Sequence, residues 1–85
     1  MNKEEIVKRV VAIIEQESPI PKQTLDEKLS YRYLDAGHID SFGITRLIFS
    51  IEDEFGIVLS PDDTQSDEFR LVGGIVSIVM ERLVT

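Results

Sequence analysis

The stretch Ile44-Thr45-Arg46-Leu47-Ile48-Phe49-Ser50-Ile51-Glu52-Asp53-Glu54-Phe55-Gly56 decides the fold class. Its Ile44, Leu47, Ile48, Ile51 and Phe55 recur at i, i+3, i+4, i+7 and i+11, one face of a helix. Gly56 stands where helix C-termini favour a residue that turns left-handed without cost. Upstream, Ile6, Val10, Ile13 and Ile14 repeat the spacing, Val7 and Val11 widen the stripe, and Asn2 with Glu5 reads as a capping pair. Ser18-Pro19 stops that helix, because the residue before proline avoids the helical region. Downstream, Ser60-Pro61-Asp62-Asp63 combines a serine cap, proline at the first position and acids against the dipole, the start of a short helix. A last helix is expected from about Arg70 to Leu83, with Val72, Ile75, Val76, Val79 and Leu83 facing inward. Gly73 and Gly74 each cost it about 1 kcal/mol against alanine, so the backbone of the first or second main helix is expected to pass close by. Ile57-Val58-Leu59 is too short to make a sheet alone. The expected fold is all-α, a small bundle of three main helices plus one short helix in a single domain over residues 1–85.

Between the first two main helices lies a long connection, residues 18–40, with two prolines and one short capped turn from Thr24 to Leu29. Connections of this length are usually functional or packed by their own side chains, here Leu25, Leu29, Tyr31, Tyr33 and Leu34.

Composition narrows the function. The 85 residues are 42% hydrophobic and 29% charged, ordinary globular usage rather than that of a disordered tail. A net charge of −7 repels phosphate backbones and anionic lipid, which argues against nucleic-acid and membrane-surface binding. The longest apolar run is five residues, Val10 to Ile14, far below the roughly 18 of a membrane span. No secretion signal is evident, so a soluble cytoplasmic monomer is expected. With no cysteine, disulfides, Cys-based zinc sites and thiol nucleophiles are excluded. The charge is concentrated: residues 35–68 hold nine acids and one base, Arg46, which suggests an acidic face that steers a basic partner or a merely solubilising one.

Asp40-Ser41 stands immediately before the strongest helix. Either residue would serve there as an N-cap and need no other role. A hydroxyl at a helix N-terminus is also well placed to carry a phosphate ester, since the open amides and the macrodipole favour the anion.

The run Leu34-Asp35-Ala36-Gly37-His38-Ile39-Asp40-Ser41-Phe42-Gly43, followed by Leu47 to Gly56, resembles the acyl carrier protein and peptidyl carrier protein family. The family's attachment motif is Asp-Ser-Leu or a close variant at the start of its second helix, and here it is Asp-Ser-Phe. Leu59-Ser60-Pro61 and Phe69 to Ile75 also resemble family landmarks, so the likeness spans nearly the whole chain. It implies a carrier rather than an enzyme, with no catalytic residue and no resident metal. It further implies that Ser41 receives 4′-phosphopantetheine from coenzyme A through a Mg²⁺-dependent phosphopantetheinyl transferase, with Asp40 helping that enzyme orient the serine. The arm would supply the thiol that a cysteine-free carrier needs to hold acyl or aminoacyl groups as thioesters. Partners would be the transferase, an acyl- or aminoacyl-loading enzyme, and downstream synthases or transferases. They would dock on the second main helix, which presents Phe42, Arg46, Phe49, Glu52 and Asp53. The form Asp-Ser-Phe-Gly is also similar to that of D-alanyl carrier proteins.

This sequence departs from the family in two places. Gly43 and Arg46 stand where many fatty-acid carriers place acids, so the acidic strip is intact only at Glu52-Asp53-Glu54, which suggests a specialised pathway. Leu71 replaces a frequent threonine cap, which moves the expected start of the last helix earlier, to Asp67.

Other constellations are weaker. Asp35, His38 and Ser41 have the residue types of a hydrolase triad, but a triad needs mutual hydrogen-bond reach and an oxyanion hole, and one short loop rarely provides both. Asp35, His38 and Asp40 are a poor zinc set and too few oxygens for calcium. His38 is instead expected to face solvent. Phe49 lies off the core stripe, either packed on the long loop or exposed as a partner contact. The alternative to a carrier is an acidic helical interaction module without a prosthetic group.

Overall fold

A computed structural model of the chain describes residues 1–84. Asn2 caps α1 (Lys3–Glu17), its side-chain oxygen accepting the Glu5 amide at 2.8 Å. The helix stops at Ser18, whose backbone is extended ahead of Pro19. Thr24 and Glu27 form a reciprocal capping box that starts α2 (Leu25–Leu29), the expected capped turn. Asp40 caps α3 (Ser41–Phe55), and Gly56 ends it at φ 64°. Ser60 and Asp63 form a second capping box on α4 (Pro61–Thr64). A 3₁₀ turn at Glu68–Arg70 leads into α5 (Val72–Leu83). No strand occurs among the described residues, and the architecture is the small all-α bundle expected, with α1, α3 and α5 as its main helices.

The three apolar stripes meet in one core. α1 packs against both α3 and α5, and α2 against α5. Val10, Ile14, Leu47, Ile51, Val72, Ile75 and Val79 are fully buried, each stabilising the fold by about 1.5–3 kcal/mol relative to exposure. On α5 the inward face differs slightly from the pattern read above. Ile78 is buried, whereas Leu83, in the last turn, is 38% exposed.

The long connection is fastened from inside. Tyr33 is fully buried; its hydroxyl donates to the Phe69 carbonyl, and its ring meets Phe69 edge-on at 6.4 Å. Burial pushes the phenol pKa up, so the group stays a donor. Ile20 and Ile39 bury the two ends of the connection. Leu29, Tyr31 and Leu34 pack partly against the core, while Leu25 is exposed. His38 does not face solvent freely. Its Nε2–H donates to the Ser18 carbonyl at 2.8 Å, which leaves Nδ1 to accept from the Tyr31 hydroxyl at 3.3 Å.

The start of α5 corrects two expectations. Neither Asp67 nor Arg70 begins it, because Leu71 is extended (φ −127°, ψ 135°) and breaks the 3₁₀ turn from the helix. No side chain caps it; the Val72 amide donates instead to the Tyr31 carbonyl at 3.2 Å, from the long connection. Nor do α1 and α3 provide the close backbones at the glycine pair. A Cβ on Gly73 would lie 2.9 Å from the Leu29 carbonyl oxygen of α2, and one on Gly74 only 1.8 Å from the Glu68 carbonyl oxygen. The chain folds back over the first turn of α5, and Gly74 is what leaves room.

Candidate functional site

Asp40 and Ser41 divide the two roles that the sequence left open. Asp40 is the cap: its backbone is extended, and its carboxylate accepts the Gly43 amide at 2.7 Å. Ser41 is therefore the first helical residue. It is exposed, and its hydroxyl has no hydrogen-bond partner among the described residues. The first amides of a helix have no carbonyl to bond, so those of Ser41 and Phe42 stay open beside that hydroxyl. A nucleophilic oxygen with free approach and an anion-favouring helix end beside it suits esterification by a phosphate.

Behind the serine is a tight junction. A Cβ on Gly43 would lie 2.4 Å from the Ile39 Cγ2 methyl, 3.1 Å from Glu17 Oε1 and 3.2 Å from Asp40 Oδ1. The glycine thus lets Ile39 and the end of α1 reach the base of α3. Glu17 binds Arg46 with both carboxylate oxygens, at 2.7 Å from Nη2 to Oε1 and 3.1 Å from Nε to Oε2. The hydrogen bonds from Arg46 hold the Glu17 carboxyl below the ordinary range. Arg46 is accordingly an engaged cation one turn from the serine, a pairing the sequence reading missed. A signal was present: Glu15 and Glu17 close α1 with no basic residue in its last turn, against the dipole, so each needed a partner elsewhere. Glu15 finds Lys28 at 3.0 Å.

The acidic stretch is also less bare than its composition. Arg32 and Arg70 both pair with Asp35, Arg9 with Glu54, and Arg82 with Asp63, all at 2.6–2.8 Å. Glu52 accepts the Leu59 amide at 2.8 Å, tying the following loop to α3. Of the expected Glu52-Asp53-Glu54 strip, only Asp53 is left without a bond to the described residues. Phe42 and Phe49 are 77% and 65% exposed, so Phe49 does not pack on the long connection. It borders a shallow surface recess with Ser50, Glu52 and Asp53.

The hydrolase constellation does not assemble. Asp35 is held by Arg32 and Arg70, which depress its pKa, and His38 by Ser18 and Tyr31. Neither acts on Ser41. No cluster of metal-ligating side chains occurs among the described residues, and no helix there is long and apolar enough to cross a membrane.

Two curated proteins match the chain along its length. The acyl carrier proteins of Chlamydia trachomatis serovar D and serovar A are each 29% identical to it over 82 residues, which cover 96% of this chain and 97% of theirs. The chain resembles acyl carrier proteins from end to end. That likeness supports the family resemblance read from Asp40-Ser41 and its flanks, and both relatives are carriers by name. No family model matches the chain, and no solved structure matches it.

Proposed function

We propose that the chain is an acyl carrier protein, a single carrier domain that is not itself an enzyme and bears 4′-phosphopantetheine on Ser41. The observation that carries this reading is the free, exposed hydroxyl at the first position of α3, with the cap role taken by Asp40. Attached there, the arm supplies a thiol that can hold acyl or aminoacyl groups, which this cysteine-free chain lacks. Asp40 fixes the helix start that presents the serine, and it lies where a transferase would read the site. The partners in this reading are a phosphopantetheinyl transferase, an acyl- or aminoacyl-loading enzyme, and downstream synthases or transferases of a specialised pathway. The carrier acts as a cytoplasmic monomer.

Incubation with coenzyme A, Mg²⁺ and a broad-specificity transferase is expected to add one phosphopantetheine to the intact mass. Ser41→Ala is expected to abolish the addition. Modification of the alanine variant, or none of the wild type under conditions that modify a control carrier, removes the reading. The exposed Phe42 and Phe49 would then favour an interaction module without a prosthetic group.

A further inference from the structure

The backbone that leads into Ser41 is held by few bonds of its own. Ala36, Gly37 and His38 donate within their turn, to the carbonyls of Arg32, Leu34 and Tyr33. After them the amides of Ile39 and Asp40 make no bond among the described residues, and those of Ser41 and Phe42 belong to the open helix end. Apart from the buried Ile39, the side chain that ties this segment to the rest of the fold is His38. The Ser18 carbonyl can only accept, so Nε2 carries the proton in their 2.8 Å bond, which reaches the residue that ends α1. The bond from the Tyr31 hydroxyl to Nδ1 and the edge-on ring contact at 5.3 Å fix the imidazole plane. Tyr31 is held in turn, since its carbonyl accepts the Val72 amide at the start of α5. A second tie leaves the same end of α1, where Glu17 binds Arg46. The two ties reach residues three before and five after Ser41, so the last turn of α1 grips the start of α3 from both sides.

Transfer needs the Ser41 oxygen in line with a phosphorus of coenzyme A. The Oγ–P bond forms, the P–O bond to the adenosine bisphosphate breaks, and the hydroxyl proton leaves. A nucleophile held in one place reaches that geometry far more often than one on a mobile segment. We infer that His38 is a positioning residue for this reaction: its bond to the Ser18 carbonyl fixes the segment that presents Ser41. It makes no bond to the serine and acts through the backbone between them. The inference rests on the carrier reading above and adds the residue that steadies its nucleophile.

The test combines amide exchange with single-turnover transfer, using a broad-specificity transferase in excess at saturating coenzyme A. His38→Phe keeps a flat ring and loses both bonds. It is expected to speed exchange of the Gly43 amide, which the Asp40 cap protects, about tenfold, with amides in the middle of α1 unchanged. It is also expected to slow transfer about tenfold, with the half-saturating transferase concentration within about twofold of wild type, because docking is intact and the geometry is not. His38→Gln, whose amide can donate to Ser18 and accept from Tyr31, is expected to restore both to within about threefold of wild type. Asp63→Asn, which loosens the far end of α5, is expected to transfer at the wild-type rate.

Unchanged Gly43 exchange or a wild-type transfer rate in His38→Phe overturns the inference. So does a loss confined to the half-saturating concentration, because His38 would then touch the transferase. His38→Gln no better than His38→Phe overturns it too, as does equal slowing in Asp63→Asn, which would reduce the effect to general stability. If the wild type receives nothing from a transferase active on a control carrier, the carrier reading itself falls, whatever the exchange shows, and the positioning role falls with it.

Discussion

α3 and α5 begin in opposite ways. α3 is capped by its own neighbour, Asp40, and its first residues are exposed. α5 has no side-chain cap; its Val72 amide is bonded to the Tyr31 carbonyl, and the 3₁₀ turn folds over its first turn. Each start has a glycine in it, but the glycines face different things. A Cβ on Gly43 would meet a methyl of Ile39, whereas one on Gly74 would meet backbone oxygen and carbon of Glu68. A locally capped helix can leave its end open for chemistry; one capped from a distant segment is enclosed by that segment. Ser41 is available because Asp40 does the capping.

Substitution of the two glycines should separate the two starts most sharply. Gly74→Ala places a carbon 1.8 Å from the Glu68 carbonyl oxygen, and the backbone must move. The gain of about 1 kcal/mol in helix propensity cannot offset that, and a net loss of about 3 kcal/mol or more is expected. Gly43→Ala presses on side chains alone, the Ile39 methyl and the Glu17 and Asp40 carboxylates, so after the same propensity gain a smaller net cost of about 1–2 kcal/mol is expected. Urea denaturation of the two variants measures both. Equal midpoints would mean that the α5 start is no more enclosed than the α3 start.

Asp40→Ala should cost about 1 kcal/mol by removing the bond to the Gly43 amide. No counterpart exists at Leu71, which is exchangeable there as far as capping is concerned. A loss at Asp40 well below that would show that the α3 start, too, is held by tertiary contacts such as Glu17 with Arg46.

The far end of α5 carries a pH-dependent tie. Asp63 is buried on α4 and accepts two bonds from Arg82 and one from the Ser60 amide, and those bonds bring its pKa from 3.8 down to about 2. A carboxyl whose pKa is lower folded than unfolded stabilises the fold above its unfolded value, and loses that contribution as pH falls through its folded value. Stability should therefore decline between about pH 4 and pH 2 by on the order of 1 kcal/mol from this group, since Arg82 is partly solvated. In Asp63→Asn that portion of the decline should vanish, read as the difference between the two chains in urea midpoint against pH.

These contrasts also divide what the sequence disclosed from what it did not. The stripes of α1 and α3 are periodic within one helix, and the caps Asn2, Thr24 and Ser60 act on amides three residues away. Such features are local, and a linear reading reaches them. The break at Leu71 goes with the bond from Val72 to Tyr31, 41 residues before it, and with Glu68 lying over Gly74. The glycine pair announced a close approach but not which backbone would make it. At the site, position alone placed Ser41 and Asp40 at the helix start, while the assignment of the cap needed geometry. The bonds of His38 and Arg46 were out of reach of the sequence for one reason. Their partners, Ser18 and Glu17, sit at the end of α1, and nothing in the spacing brings that end to the serine.

The smallest expected effect is the most discriminating. If Asp40 is the whole cap, Ser41 contributes nothing to folding: it is exposed, and its hydroxyl has no partner among the described residues. Alanine is at least as good a helix former as serine, and surface changes without a specific contact stay within about 0.5 kcal/mol. Ser41→Ala should then unfold with the wild type in urea while losing all capacity for the phosphopantetheine ester. A loss above about 1 kcal/mol would show serine sharing the cap, and the separation of the capping residue from the reacting one would fail. Preserved stability with abolished modification is the combination that separates a reacting hydroxyl from a structural one.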